Sequence, residues 1–278
     1  MSRSFLFVPS TFEKYLLKID KTEADKIVLD LEDSIDQDDL NVAYTLIKKH
    51  RKILTKQKVF ARVPKEIFNY KTIKFLILNG IRGFVIPKIH NTNELKKIIN
   101  IVNKIKIKIE LILLAETAFS IVNLNNLLKL SNKFYGIMFG HEDYSLDIKI
   151  FESKNKNKFV YVREKIIAVA NSNNLVPIDS PFLSVNNKKG FKNYIKDSKE
   201  KGFKGVICLS PTQCEIANQL YLPDEQSYKL SKKIIKISKE NKLKKKIIYH
   251  NSIFVGPPII KQSKLIIESY EKYKKREK

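Results

Sequence analysis

Two acidic residues in apolar surroundings are the first candidates for chemistry in this sequence. Glu116 lies in the stretch LLAETA, and Asp143 lies in the stretch FGHED. Each follows a short apolar run that is typical of a buried strand. Two carboxylates held together could bind one hard cation through oxygen, with water and substrate as further ligands, which is how Mg2+ usually binds. The alternative is that each carboxylate pairs with a nearby Lys or Arg, and the residues alone favour neither.

Charged residues also end other apolar runs. Arg62 is a single charge inside FARVP, Lys88 follows FVIP, and IVLDLED contributes Asp30 and Glu32. Because a charge buried without a partner is costly, such residues pair with each other, with a metal or with a charged ligand. The planar guanidinium of Arg62 suits a carboxylate bidentately. For Asp30 and Glu32, a structural network with Arg3, Arg62 or Lys88 is an equal alternative to a catalytic role.

The residues around Asp143 have weaker signals. His141 could bind zinc, but no second His or Cys stands at a suitable spacing, so we interpret it as a loop histidine near the substrate. Glu142 is interpreted as an acid at the rim of the site. Asp147 is predicted to cap the structure that follows it.

Eight short apolar runs, separated by amphipathic segments, could position these residues. The predicted strands cover residues 4–8, 26–31, 58–63, 83–87, 109–115, 136–140, 175–179 and 205–210. The predicted helices cover residues 12–22, 39–54, 70–79, 92–104, 120–132, 159–173, 188–201 and 212–220. Strands that alternate with helices favour parallel βαβ units, and eight such units predict an α/β fold, the (β/α)8 TIM barrel. A doubly wound open sheet is the alternative, although no GxGxxG follows the first strand.

The predicted barrel explains why charged residues stand at strand ends, because the active site of a (β/α)8 enzyme lies at the C-terminal ends of its strands. We therefore predict a catalytic barrel domain over residues 1–223. Residues 224–278 form a predicted helical extension that caps the barrel or packs on a neighbouring subunit.

Composition limits the classes of partner. The net charge is +24, but Lys is spread over the chain and its clusters lack the interleaved aromatic residues of a nucleic-acid groove. We therefore predict no nucleic-acid partner. No apolar run is long enough for a membrane helix, so we predict no membrane association and a cytoplasmic location. Cys208 and Cys214 are too few for a disulfide framework and are predicted to be free thiols.

The order of eight motifs resembles that of a known family. They are RSFLFVPS, IVLDLEDSI, FARVP, FVIPKI, LLAETA, FGHEDYSLDI, PIDSPF and GFKGVICLSPTQ. The series is similar to the HpcH/HpaI aldolase and citrate lyase family, in particular its citrate lyase β-subunit-like branch of CoA ester lyases. The resemblance implies a (β/α)8 barrel and dependence on Mg2+, with Mn2+ as an alternative ion.

The resemblance also implies roles for individual residues. Glu116 and Asp143 match the metal ligands, and Arg62 matches the residue that binds the substrate's carboxylate or carbonyl. The expected catalytic residues are Arg62, Asp30 and Glu32. The expected substrate contacts are Arg62, Lys88, Gly140 and His141.

The activity that the resemblance implies is that of a carbon–carbon lyase or aldolase. It would cleave or form a C–C bond in a 3-hydroxy acid or its CoA thioester through an enolate, as part of a homo-oligomer, a trimer or hexamer. Five positions depart from the family pattern: Val206 and Ser210 replace its Lys and His, Gly256 replaces an acid–base Asp, Ser10 replaces a Gly, and Pro64 replaces an Asn. These departures leave open a small oxo or hydroxy acid without CoA as the substrate, and also a degenerate barrel without catalysis.

Overall fold

Eight parallel strands close into a barrel in the computed structural model, which describes residues 2–150, 159–240, 247–250 and 253–274. Each strand pairs with the next in sequence, and β8 pairs with β1. The strands are β1 (Ser4–Pro9), β2 (Lys26–Asp30), β3 (Val59–Arg62), β4 (Ile81–Ile86), β5 (Glu110–Ala115), β6 (Phe134–Phe139), β7 (Val176–Asp179) and β8 (Gly205–Cys208). The predicted (β/α)8 barrel is confirmed.

Helices follow the strands and cover the outside of the barrel. They are α1 (Glu13–Leu16), α2 (Leu40–Lys49), α3 (Arg51–Lys56), α4 (Tyr70–Leu78), α5 (Thr92–Asn103), α6 (Ala118–Leu128), α7 (His141–Asp147), α8 (Val160–Ser172), α9 (Lys188–Lys201) and α10 (Pro211–Leu220). Short 3-10 turns cover Ile19–Lys21, Gln37–Asp39 and Lys65–Ile67. The predicted helix over residues 39–54 is divided at His50, which ends α2 and precedes α3.

The helix α7 was not predicted, and the interpretation of FGHED as a loop is wrong. Gly140 precedes the helix, and Glu142 and Asp143 lie in its first turn. Acidic side chains in a first turn stabilise a helix, because they face the positive end of its dipole. His141 is therefore a helical residue, and Asp143 has a fixed direction from the end of β6.

Every strand contributes to a hydrophobic cluster inside the barrel. Its buried members are Phe5, Val28, Phe60, Val85, Ile112, Leu114, Met138, Ile178 and Ile207. Side chains two residues apart share a face of a strand, so the inward face of β2 also carries Lys26 and Asp30. In the same way, the inward face of β5 begins at Glu110 and continues to Glu116. The barrel interior is therefore apolar in the middle and charged at both ends.

Two β-bulges interrupt the regular pairing near the starts of the strands. Arg82 is the extra residue of β4 opposite β3, and Tyr135 is the extra residue of β6 opposite β5. Gly83 follows the first bulge, and a Cβ there would lie 2.2 Å from the ring of Phe60. Glycine is therefore needed at this position, because the aromatic ring occupies the space of a side chain.

Residues Gln219–Lys278 form a second compact unit. Within it, α11 (Glu225–Glu240) and α12 (Pro257–Lys274) accompany an antiparallel pair, β9 (Ile248–His250) and β10 (Ile253–Val255). Its core contains Ile234, Ile237 and Val255, with Ile259 and Ile260 packed against them. The predicted C-terminal helices are confirmed, whereas the strand pair was not predicted. The domain boundary after residue 223 and the packing on a neighbouring subunit stay predictions.

None of the helices in the described ranges combines the length and the apolar character that a membrane span requires.

Candidate active site

Arg62, at the end of β3, is surrounded by the carboxylates that follow β2. Its Nε and Nη2 donate to the two oxygens of Asp30 at 2.7 Å and 2.6 Å, and Nη1 donates to Asp33 at 2.7 Å. Nη1 also lies 3.1 Å from Oε2 of Glu32. Asp30 further accepts the backbone N–H groups of Glu32 and Ser34. Asp30 is therefore fixed by four hydrogen bonds, and the structural network that the sequence left open is formed with Arg62.

The other partner proposed for that network, Arg3, does not reach it. Its Nε and backbone N–H donate to Asp25, and Nη1 donates to the backbone carbonyl of Asn218. Arg3 precedes β1 at the N-terminal end of the barrel, whereas Asp30 is the last residue of β2, at the C-terminal end of the barrel. Strand direction therefore separates the two residues.

Lys88, just after β4, joins the same cluster from the other side. Its Nζ lies 2.7 Å from Asp33, 3.1 Å from Glu32 and 3.6 Å from Asp143. Its backbone has a left-handed φ of 47°, which a lysine adopts only at an energetic cost. That conformation directs the backbone N–H of Lys88 to Oε1 of Glu116, at 2.7 Å. Lys88 thus orients Glu116 through its backbone N–H and places its side-chain ammonium among the carboxylates.

Glu116 is the most deeply buried carboxylate of the cluster, with 1% of its surface exposed. Burial, followed by the nearby charges of Asp143 and Glu32, raises the pKa of Glu116 well above its usual range. Gly140 makes room for it, because a Cβ at this position would lie 2.5 Å from Oε2 of Glu116. The Glu116 carboxylate is held at the end of β5 at a cost that a bound cation would offset.

The donors at this rim fit a hard divalent cation. Glu116 and Asp143 follow the paired strands β5 and β6 and offer oxygen ligands. With all groups ionised, the cluster has three more negative charges than positive ones, because five carboxylates face Arg62 and Lys88. Within the ranges that the structure describes, no group of three or more His, Cys, Asp or Glu residues is arranged to hold a metal. A cation here would take carboxylate oxygens of Glu116 and Asp143 and complete its ligands with water and substrate, as Mg2+ does.

The neighbours of Asp143 have different surroundings. The Nε2 of His141 lies 2.7 Å from Oε1 of Glu142, and its ring packs near Phe139 and Phe159. Asp147 was predicted to cap the structure that follows it, but residues 151–158 lie outside the described residues. Among the described residues, its Oδ2 accepts the backbone N–H of Ala118 at 2.6 Å. This hydrogen bond connects the end of α7 with the start of α6.

Two of the positions that depart from the family pattern have structural roles. Val206 is fully buried in β8. The Oγ of Ser210 accepts the backbone N–H of Gln213 at 3.3 Å, in the first turn of α10.

Sequence reasoning missed three contributions to the site. It did not identify the left-handed backbone of Lys88 or the close contact between Gly140 and Glu116. It also assigned no role to Asp33, which bridges Arg62 and Lys88. The helix start after Gly140 had a partial signal, because Glu142 and Asp143 supply the acidic residues that are enriched in a first turn. A lysine with positive φ has no comparable signal in the sequence.

Comparison with known proteins identifies the family and the fold of the chain. The family model described as HpcH/HpaI aldolase/citrate lyase matches residues 3–211. Citrate lyase subunit beta of Leuconostoc mesenteroides subsp. cremoris is 21% identical over 280 residues, covering 96% of this chain and 93% of the relative. The mitochondrial citramalyl-CoA lyase of Homo sapiens is 22% identical over 282 residues, covering 94% of this chain and 83% of the relative.

A solved structure shows the same fold. The crystal structure of CitE from Mycobacterium tuberculosis in complex with magnesium, acetoacetate and coenzyme A superposes with a TM-score of 0.79 at 17% identity. The superposition covers 97% of this chain and 98% of that chain. Since the family model matches most of the sequence and the eight strands close into the expected barrel, the chain is a lyase that belongs to the HpcH/HpaI aldolase/citrate lyase family.

Proposed function

We propose that this protein is a Mg2+-dependent carbon–carbon lyase that cleaves or forms a C–C bond in a 3-hydroxy acid bound as its CoA thioester. The observation that carries the proposal is the pair Glu116 and Asp143 at the ends of adjacent strands, in a cluster with excess negative charge. The names of the relatives support the substrate class, since they include citramalyl-CoA lyase and a CitE complex with coenzyme A.

Glu116 and Asp143 would hold the metal. When bound, Mg2+ would act as a Lewis acid on the oxygens of the oxo or hydroxy acid. The left-handed backbone of Lys88 keeps Glu116 directed to this position, and Gly140 keeps the space around Oε2 open. The chain thus positions the Glu116 carboxylate before the metal binds, which lowers the cost of binding.

Arg62 and Lys88 would bind the carboxylate of the substrate in different ways. Arg62 uses its Nε and one N–H of each terminal nitrogen to hold Asp30 and Asp33, which leaves one N–H on Nη1, beside Glu32, and one on Nη2. The side chain of Lys88 is 35% exposed, and its ammonium lies between Asp33 and Asp143. We therefore assign Lys88 the larger share of substrate binding, and we assign Arg62 mainly to ordering the acidic rim.

Glu32 is the carboxylate best suited to move a proton at this rim. Burial raises the pKa of Glu32, although the charges of Arg62 and Lys88 act in the opposite direction. A general acid or base works best when its pKa lies near the working pH, and a raised carboxyl pKa meets that condition better than an ordinary one. Asp30 has both oxygens engaged by Arg62 and backbone N–H groups, so we assign it a positioning role. Gly140 and His141 stay predicted substrate contacts.

Mg2+ titration tests the metal site directly. By isothermal titration calorimetry, the wild type is expected to bind one Mg2+, and Glu116→Gln is expected to lose that binding. Glu110→Gln is the matched control, because Glu110 lies on the inward face of the same strand at the opposite end of the barrel. Equal Mg2+ affinity in wild type and Glu116→Gln would contradict the assignment.

An assay of citramalyl-CoA cleavage tests the reaction, and the readout is the formation of the acyl-CoA product. We expect cleavage by the Mg2+-loaded wild type, and none in the presence of a chelator or in Glu116→Gln. Intact Mg2+ binding without turnover of any 3-hydroxyacyl-CoA would favour the barrel without catalysis.

A free oxo or hydroxy acid is the second candidate substrate. It is favoured by Ser210, whose hydroxyl is engaged in the first turn of α10, and by Val206, which is buried and apolar. Both positions carry a polar, ionisable residue in the family pattern. Turnover of the free acid at a higher kcat/KM than that of its CoA thioester would establish this alternative.

A further inference from the structure

The N-terminal end of the barrel, opposite the candidate active site, contains a second charged cluster that the proposed lyase reaction does not use. Lys26 begins the inward face of β2 and is 6% exposed. Its Nζ lies 3.1 Å from Oε2 of Glu110, and 4.6 Å and 4.9 Å from the ring centres of Phe60 and Tyr135. A lysine buried this deeply usually has a specific reason, since removing its charge from water is costly.

A cavity of about 240 Å³ opens at Lys26, and we call it the basal pocket. It is lined by four cationic side chains, Lys26, Lys58, Arg82 and Lys108, and by a single carboxylate, that of Glu110. A second cavity of about 320 Å³ shares Lys108 and Glu110 with it and adds Lys133. Across the two cavities, five cations therefore face one carboxylate.

Among the residues that the structure describes, cationic side chains outnumber carboxylates around the basal pocket. Burial lowers the pKa of Lys26, the carboxylate of Glu110 raises it, the charge of Lys58 lowers it, and the more weakly acting Asp25 raises it. Lys58 is therefore close enough to repel the buried ammonium. An anion placed among these groups would remove that repulsion, and its interaction would be strengthened by the low dielectric around Lys26.

Two β-bulges in the backbone direct side chains to these cavities. Both β-bulges of the barrel lie at this end, and their extra residues, Arg82 and Tyr135, line the two cavities. Bulges re-aim side chains and are frequent beside functional sites. The Nη1 of Arg82 donates to the backbone carbonyls of Ile77 and Ile81, at 2.8 Å and 3.0 Å, so its guanidinium is held in place before any ligand binds.

From this cluster we infer that the basal pocket is a binding site for a phosphate group, either as the free ion or as part of a small phosphorylated molecule. A multivalent oxyanion matches an excess of several positive charges, and a fixed guanidinium suits the geometry of phosphate oxygens. The cavity is large enough for one phosphate group, and the adjoining cavity provides space for the rest of a larger ligand.

The basal pocket differs from the candidate metal site in its position in the barrel and in the sign of its net charge. The metal cluster carries excess negative charge and repels anions when no cation is bound, whereas the basal pocket attracts them. Binding measured without divalent metal therefore reports on the basal pocket, and the result does not depend on whether the proposed lyase function is correct.

Isothermal titration calorimetry with inorganic phosphate and with pyrophosphate, in chelator and at constant ionic strength, tests the inference. The wild type is expected to show saturable binding with one site per chain. Lys58→Ala/Lys108→Ala is expected to weaken it about tenfold, since two charges within a few ångströms of the anion are lost. Both side chains are exposed, so the fold is expected to remain intact, and circular dichroism checks this.

The matched control is Lys96→Ala/Lys97→Ala, which removes the same charge from the exposed face of α5. It is expected to keep wild-type affinity for both ligands. Tighter binding of pyrophosphate than of phosphate would point to a phosphorylated molecule that spans both cavities, whereas equal affinity would point to a single phosphate group. No saturable binding by the wild type, or an equal loss in both double variants, would overturn the inference.

Discussion

Glu116 is the proposed metal ligand whose position depends most clearly on the fold. It is buried, it accepts a hydrogen bond from the backbone of Lys88, and nearby acidic groups oppose its ionisation. The apolar surroundings of Glu116 and its position at a strand end were visible in the sequence. The Lys88 contact was not, because a positive φ in a lysine arises from tertiary packing and leaves no pattern in the chain.

Gly140→Ala tests the space around Glu116. The glycine has a φ of −99°, which any residue can adopt, so the effect of the substitution comes from contact alone. The new Cβ would lie 2.5 Å from Oε2 and would displace the carboxylate. We expect Mg2+ affinity to fall at least about tenfold, as when the support of a metal ligand is changed. Calorimetry measures the affinity, and Gly190→Ala, in the first turn of α9, is the control. Unchanged Mg2+ affinity in Gly140→Ala would show that this space is not needed.

Arg62→Lys tests the role of the guanidinium in ordering the rim. The lysine keeps the charge but cannot make the paired bonds to Asp30, which is 3% exposed. We expect the free energy of unfolding to fall by about 2 kcal/mol, because a buried carboxylate loses part of its compensation. Urea denaturation measures this change. Lys65→Met, which breaks a partly exposed pair with Glu94, is expected to cost less than about 1 kcal/mol. Equal losses in both variants would mean that the paired bonds between Arg62 and Asp30 stabilise the protein no more than a partly exposed ion pair does.

At the scale of elements, apolar runs predicted the eight strands because a parallel barrel buries both faces of each strand. The strand starts were less accurate. The prediction started β4 at residue 83 and β6 at residue 136, just after the bulge residues Arg82 and Tyr135. Each bulge inserts a polar or half-exposed side chain, which interrupts the apolar pattern. The helix α7 was missed because it is short and has no apolar periodicity.

Asp147→Ala tests how α7 is tied to α6. Asp147 accepts the backbone N–H of Ala118 at the start of α6, where Thr117 and Ser120 already form a capping box. We expect a loss of about 1 kcal/mol in the free energy of unfolding, typical of a lost cap, with Mg2+ affinity unchanged. Asp147→Asn keeps the acceptor oxygen and is expected to retain most of the stability. The link is not stabilising if Asp147→Ala and wild type unfold at the same urea concentration.

At the scale of the whole molecule, charge is divided unevenly. The chain carries a net charge of +24, yet the candidate active site is acidic, and the basal end of the barrel is basic. Composition predicted the overall charge. It could not predict the local reversal, because the strand topology alone brings Asp30, Glu116 and Asp143 to one end and Lys26 and Arg82 to the other.

The high net charge predicts a dependence of stability on salt. Raising NaCl from about 0.01 M to about 0.3 M shortens the screening length from roughly 30 Å to well under 10 Å, which weakens repulsion among the lysines. We therefore expect the melting temperature of the metal-free protein to rise, as followed by circular dichroism. Choline chloride should give the same rise, because screening does not depend on the identity of the cation. A melting temperature that falls with salt would show that attractive ion pairs outweigh the repulsion.

A crystal structure of the protein soaked with Mg2+ and oxaloacetate tests whether Glu116 and Asp143 bind the metal. We expect one Mg2+ with carboxylate oxygens of Glu116 and Asp143 as direct ligands at about 2.1 Å, and with the acid bound beside Lys88. This expectation would be contradicted by a metal bound to other carboxylates of the rim, or by the absence of metal from Glu116 and Asp143 at saturating Mg2+.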